Sequence, residues 1–225
     1  MELLNFLLPN VFLKQQELFE SCVQTLYMVF FSGTISFLIG STFGILLTVT
    51  ASGKILEQKV VYTIVDKVIN LFRSIPFIIL LTALIPFTRL VTGTAIGTKG
   101  AILPLVFGTV PFFTRQIESA LSEVEHGLIE AALSMGSGPL EIIWRVYLRE
   151  SIPSIIRACT ITLISLIGLT AMAGAVGGGG LGDFAIRYGH QRNQTDITIV
   201  TVIILLVAVN LIQFIGNIAI KKTTH

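Results

Sequence analysis

Three stretches of this chain carry no charged side chain over lengths that match a lipid bilayer. Ser21 to Gly53 runs for 33 residues, Ala158 to Gly182 for 25, and Ile197 to Ile220 for 24. A helix needs about 20 apolar residues to cross a hydrocarbon core about 30 Å thick. Each run therefore predicts a transmembrane helix. Composition agrees. Only 12% of the 225 residues are charged and 53% are hydrophobic, against about 25% charged in an average soluble domain. The chain reads as an all-α integral membrane protein with a single transmembrane domain over residues 21–225. A net charge of +2 is too small to point to nucleic acid. Cys22 and Cys159 lie in apolar runs without metal-ligand spacing.

Two further spans are less plain. Residues 60–88 hold Asp66, Asn70 and Arg73 at i, i+4 and i+7, on one helix face. Arg73 lies about 22 Å along a helix from Thr88, which puts it towards the inner third of the core. Two readings fit it: an arginine that snorkels or pairs with Asp66 or with an acid after the third span, and an arginine on a transport path. Pro76 predicts a kink. Residues 98–122 are free of charge only from Gly100 to Thr114, with Pro104 and Pro111 inside, and form a full span only if the helix continues past Arg115. The expected spans are about 21–51, 60–88, 98–122, 153–182 and 197–220. Residues 1–20 mix Leu3, Leu4, Phe6, Leu7 and Leu8 with a polar patch at Lys14–Glu17. They read as an interfacial segment. With Glu2 and no basic residue before Lys14, they do not read as a cleaved signal peptide.

Ser32, Ser36, Gly40 and Gly44 recur every four residues. Such a face lets another helix approach closely. Thr162, Ser165, Leu169 and Met172 share one face of the fourth span. That face is a candidate solute route, with Met172 either a flexible constriction or a packed core residue. Asn210, Gln213 and Asn217 share a face of the last span and should meet protein or water. Gly177–Gly182 satisfies G-x-G-x-x-G in letters, but it ends a hydrophobic helix rather than joining a strand to a helix, which excludes a dinucleotide site. No catalytic or metal site is expected. His126, His190 and His225 all fall in aqueous or interfacial segments, and no P-loop is present. The chain is not read as an enzyme.

Five spans place the termini on opposite sides. The side bearing residues 54–67, 115–157 and the tail holds nine Lys and Arg, and the other side holds five. The positive-inside bias puts the 123–152 loop in the cytoplasm, the N-terminus outside and the C-terminus inside.

That loop carries Glu130-Ala131-Ala132-Leu133-Ser134-Met135-Gly136. Two alanines favour helix and offer little side chain to hinder a partner's backbone. Gly136 supplies the left-handed stop. Ser137 is placed to cap a second helix with Pro139 in its first turn, running to about Leu148. The pattern from Glu123 to Gly136, with Pro153 on the return to the membrane, resembles the cytoplasmic coupling loop of ABC importer permeases of the type I fold. Glu125 and Arg149 stand where that family has prolines. Phe72–Phe77 and Ala171–Gly182 resemble the methionine-uptake branch.

The resemblance implies a function and partners. The chain would be the permease subunit of an ATP-driven importer of an amino acid, methionine by the branch, working by alternating access in the bacterial cytoplasmic (inner) membrane. Glu130, Ala131, Ala132 and Gly136 would couple it to the ATPase. A second copy, a P-loop ABC ATPase dimer carrying ATP and Mg, and an extracytoplasmic solute-binding protein would complete the assembly, with no cofactor on this chain. The other reading is an ion-coupled secondary amino-acid carrier.

Overall fold

The structure is a computed structural model that describes residues 8–223. Among them it is built of helices and turns, without strands. The helices are α1 (Pro9–Leu13), α2 (Gln15–Thr50), α3 (Lys59–Ser74), α4 (Phe77–Ala83), α5 (Ile85–Thr92), α6 (Gly97–Ser122), α7 (His126–Ser134), α8 (Pro139–Ile142), α9 (Leu148–Glu150), α10 (Ile152–Ala175), α11 (Gly180–Phe184) and α12 (Thr195–Thr223). Two π-helical turns, Ile143–Tyr147 and Ala185–His190, follow α8 and α11.

Four of these helices, α2, α6, α10 and α12, are long and apolar enough to cross a membrane. The stretch expected as a second span is three shorter helices, α3, α4 and α5, of 16, 7 and 8 residues. None reaches the length of a crossing alone. The first break falls at Pro76, which has no N–H to give and disfavours helical backbone in the residue before it. The second falls at Leu84, with Pro86 in the first turn of α5.

The fourth span also stops early, at Ala175 instead of residue 182. Gly177, Gly179 and Gly180 take φ of +88°, +77° and +77°, a left-handed conformation that ends a helix. α2 reaches back to Gln15, so part of the segment expected at the interface belongs to a long helix. Residues 1–7, which hold most of that segment's apolar side chains, lie outside the described residues.

The chain divides into two compact units, and each of the four long helices contributes residues to both. The first unit comprises the chain up to Ile35, Ile75–Gly108 and Leu163–Ile212. Its core is Met28, Leu81, Ala101, Leu105, Leu166 and Ala173. The N-terminal helix is tied in by Asn10, whose backbone N and Nδ2 donate to the Asp196 carboxylate at 2.9 and 3.0 Å.

The second unit comprises Ser36–Ser74, Thr109–Thr162 and the chain after Ile212. Its core joins α6, α7, α8, the first π turn and α10 through Phe113, Ile117, Leu121, Ile129, Ile142, Tyr147 and Ala158. The small-residue face of α2 packs closely here: a side chain at Gly44 would sit 2.6 Å from Ile117. Arg115 is held between Glu118 Oε2, at 2.6 Å from Nη1, and the Asp66 carboxylate on α3. Asp66 thus pairs with Arg115 and not with Arg73.

Candidate functional site: the loop between α6 and α10

After α6 the chain turns through Glu123–Glu125 into α7. Ser154 Oγ donates to the Glu123 carboxylate, and Ser151 Oγ donates to the Ala120 carbonyl at 3.1 Å. Both ends of the loop are therefore fastened to each other where they meet the long helices.

α7 ends in a Schellman turn. The Gly136 N–H donates to the Leu133 carbonyl at 2.9 Å and the Ser137 N–H to the Ala132 carbonyl at 3.1 Å. Gly136 has φ +80° and no atom within 4 Å of where a Cβ would stand. The residue is required by its backbone angle and not by crowding. The cap of α8 is Gly138 rather than Ser137. Gly138 is extended and hands directly to Pro139 at the first helical position. From Pro139 to Glu150 the chain is nearly continuous helix, widened to a π turn at Ile143–Tyr147 and stopped at Ser151. With Arg149 in place of a proline, nothing interrupts it earlier.

The two alanines face different ways. Ala132 is 5% exposed and belongs to the core with Ile129, Ile142 and Tyr147. Ala131 is exposed, as is Glu130, whose Oε1 lies 3.2 Å from His126 Nδ1. Around Ala131 and the turn stand apolar side chains open to the surroundings: Leu128, Leu133, Met135 at 80% exposure, Leu140 and Trp144 at 70%. Exposed apolar side chains gathered around one turn mark a surface for contact with a protein or a membrane. Beneath it, Tyr147 is 1% exposed with its hydroxyl unpaired among the described residues, and burial pushes the phenol's pKa up.

The sequence reading missed the apolar rim and the inward turn of Ala132. The signal was present: Ile129 and Ala132 are three apart and so share a face, which Ala131 leaves by about 100°.

The proposed solute route is placed less simply. Thr162 is fully buried and donates to the Ala158 carbonyl at 2.8 Å. Ser165 is half-buried, Leu169 packs on the first unit's core, and Met172 is 48% exposed. Asn210 Nδ2 donates to the Leu206 carbonyl at 2.8 Å, and Asn210, Gln213 and Asn217 are all exposed. Arg73 is exposed, with no carboxylate within ion-pair distance among the described residues. No group of ligands able to hold a metal occurs among those residues.

Comparison with known proteins adds three findings. Residues 40–223 match the family model described as the binding-protein-dependent transport system inner membrane component. The chain is 48% identical over 202 residues to a probable D-methionine transport system permease of Vibrio cholerae, covering 90% of each chain. It is 44% identical over 209 residues to a methionine import system permease of Bacillus subtilis, covering 93% of each. Among solved structures it is similar to a chain of the MetNI methionine ABC transporter in an inward-facing conformation. That match has 43% identity and a TM-score of 0.92, and covers 94% of this chain and 98% of the other.

Proposed function

We propose a function from one premise: this chain belongs to the family of binding-protein-dependent transport system inner membrane components. It is the permease subunit of an ATP-driven ABC importer and leaves hydrolysis to a separate ATPase subunit. Its solute is methionine. The observation that carries this is the agreement of sequence and fold with one kind of relative: 43% identity at a TM-score of 0.92 across almost the whole of both chains. The ion-coupled carrier has no such support.

The assembly is two copies of this chain, two ATPase subunits bearing ATP and Mg, and an extracytoplasmic solute-binding protein. α3, α4 and α5 together make the fifth crossing, broken at Pro76 and Leu84. With five crossings the N-terminus is outside, and the loop at 123–152 shares the cytoplasm with the C-terminus, in keeping with nine basic residues against five.

The exposed face of α7 and α8 takes up the ATPase. Ala131 lets the partner approach closely, and Met135, Leu140 and Trp144 supply apolar area. Ala132 passes displacement inward, because it packs on Ile129, Ile142 and Tyr147. Closure of the ATPase pair on ATP moves α7, and the long helices respond as packed rigid elements to open outward. The solute then enters from the binding protein and leaves inward after hydrolysis. Met172 is the candidate constriction, and Arg73, Thr162, Ser165, Asn210 and Gln213 are candidate path residues.

The test is uptake of methionine into vesicles holding this chain, its ATPase and its binding protein. Uptake should require ATP and survive collapse of the proton gradient. Loss of uptake on collapse with ATP held constant overturns the reading, as does ATP-driven uptake of another amino acid in preference to methionine.

A further inference from the structure

Most helical threonines among the described residues turn their hydroxyl onto their own backbone, as Thr25, Thr48, Thr114 and Thr201 do onto the carbonyl four residues back. The buried Thr88 and Thr109 do not. Thr88 is 1% exposed and its Oγ1 has no hydrogen-bond partner among the described residues.

Thr88 instead lines a small, partly open void of about 10 Å³, together with Ile85, Gly100, Pro104, Ala173 and Gly178. All of these belong to the first unit. Pro104 has no N–H, so the Gly100 carbonyl one turn earlier in α6 loses its helical donor. The void is thus lined by an unpartnered hydroxyl and by a residue whose carbonyl has no proline N–H to accept from. The void is at the lower limit of what admits a single water molecule, roughly 10–15 Å³.

We infer that one ordered water occupies this void, donating to the Gly100 carbonyl and bonding the Thr88 hydroxyl. Prolines persist in membrane helices where neighbouring Ser or Thr side chains and ordered water satisfy the freed backbone group. Here both devices act on one carbonyl. The water joins α5 to α6 beside the turn at Gly177–Gly180. It is independent of what the protein transports.

The experiment compares the intact importer complex with its Thr88→Val and Thr88→Ser forms, by density at a resolution that shows other buried waters and by thermal midpoint. The wild-type and Thr88→Ser maps should hold a peak within hydrogen-bond reach of Thr88 or Ser and the Gly100 carbonyl. Thr88→Val should lose the peak and melt lower. The sign is informative. In a dry void the valine removes an unsatisfied hydroxyl at nearly constant shape, and the midpoint stays or rises. An empty wild-type void, a peak that survives Thr88→Val, or an unchanged or raised midpoint in Thr88→Val overturns the inference. Unaltered transport in Thr88→Val leaves the proposed function standing whichever way the water falls.

Discussion

Two glycine turns end two helices here, and they are built in opposite ways. At Gly136 the backbone needs a left-handed angle, but the surrounding space is open. At Gly180 the angle is the same kind, yet a Cβ would stand 2.7 Å from Thr25 Oγ1 and 2.8 Å from Met28 Cε. The second turn is also pinned: Gly180 N–H donates to Gln24 Oε1 and Leu181 N–H to Thr25 Oγ1, both at 2.8 Å. One turn presents a surface and is held only by its own helix end. The other is sewn to α2 and forms part of a core. The contrast teaches that a glycine read from sequence as "a turn" can stand open at a surface or be a structural seam, and only its neighbours decide which.

The seam should break hardest. Gly180→Val combines a disfavoured backbone angle, about 1–3 kcal/mol, with overpacking against Thr25 and Met28, about 1–3 kcal/mol more. The expected outcome is little or no folded complex, measured as monodisperse yield in detergent. A yield like that of the wild type would show that the turn has room to relax and would erase the contrast.

The loop can be probed with paired substitutions. Ala132→Leu forces a larger side chain into the core around Ile129, Ile142 and Tyr147 and should lower stability by about 1–3 kcal/mol, read as a fall in thermal midpoint. Ala131→Leu, one residue away and exposed, should leave the midpoint within about 0.5 kcal/mol of wild type while cutting ATP-driven uptake. Equal effects on stability would contradict the different orientations of the two alanines. Gly136→Val should cost about 1–2 kcal/mol for the left-handed angle alone and still give a folded complex. Gly136→Asn should recover most of that loss, because Asn tolerates the conformation. Full uptake with Gly136→Val at normal expression would remove the turn from the coupling path.

What the sequence made legible was what local pattern carries. Runs without charge announce spans because hydrocarbon excludes charge, so α2, α10 and α12 were visible. A four-residue recurrence of small side chains announced the close approach at Gly44. Pro76 announced one break in the 60–88 stretch, whereas the break at Leu84 had only Pro86 as a sign. The partner of Arg115 could not be read at all. Asp66 lies 49 residues away, and several acids fit equally well until α3 and α6 are placed side by side. The tie from Asn10 to Asp196 spans 186 residues and was out of reach for the same reason. In the loop between α6 and α10 the helix, stop and second helix were legible from Ala, Gly and Pro. Which alanine faces the core was in the spacing to Ile129, but small side chains give a weak periodic signal.

The smallest expected effect has the most informative sign. Tyr147 fills the core beneath the loop, and its hydroxyl is buried without a partner among the described residues. An unsatisfied buried group costs free energy, while an apolar replacement of the same shape is nearly neutral or stabilising. Tyr147→Phe keeps the ring against Ile129, Ile142 and Ala158 and deletes only the hydroxyl. Its thermal midpoint in the purified complex should therefore be unchanged or raised, by an equivalent of about 1 kcal/mol at most. A clear fall would mean that the hydroxyl has a partner in the working assembly. The base of the loop would then be a hydrogen-bonded joint, closer in kind to the pinned turn at Gly180 than to the open one at Gly136.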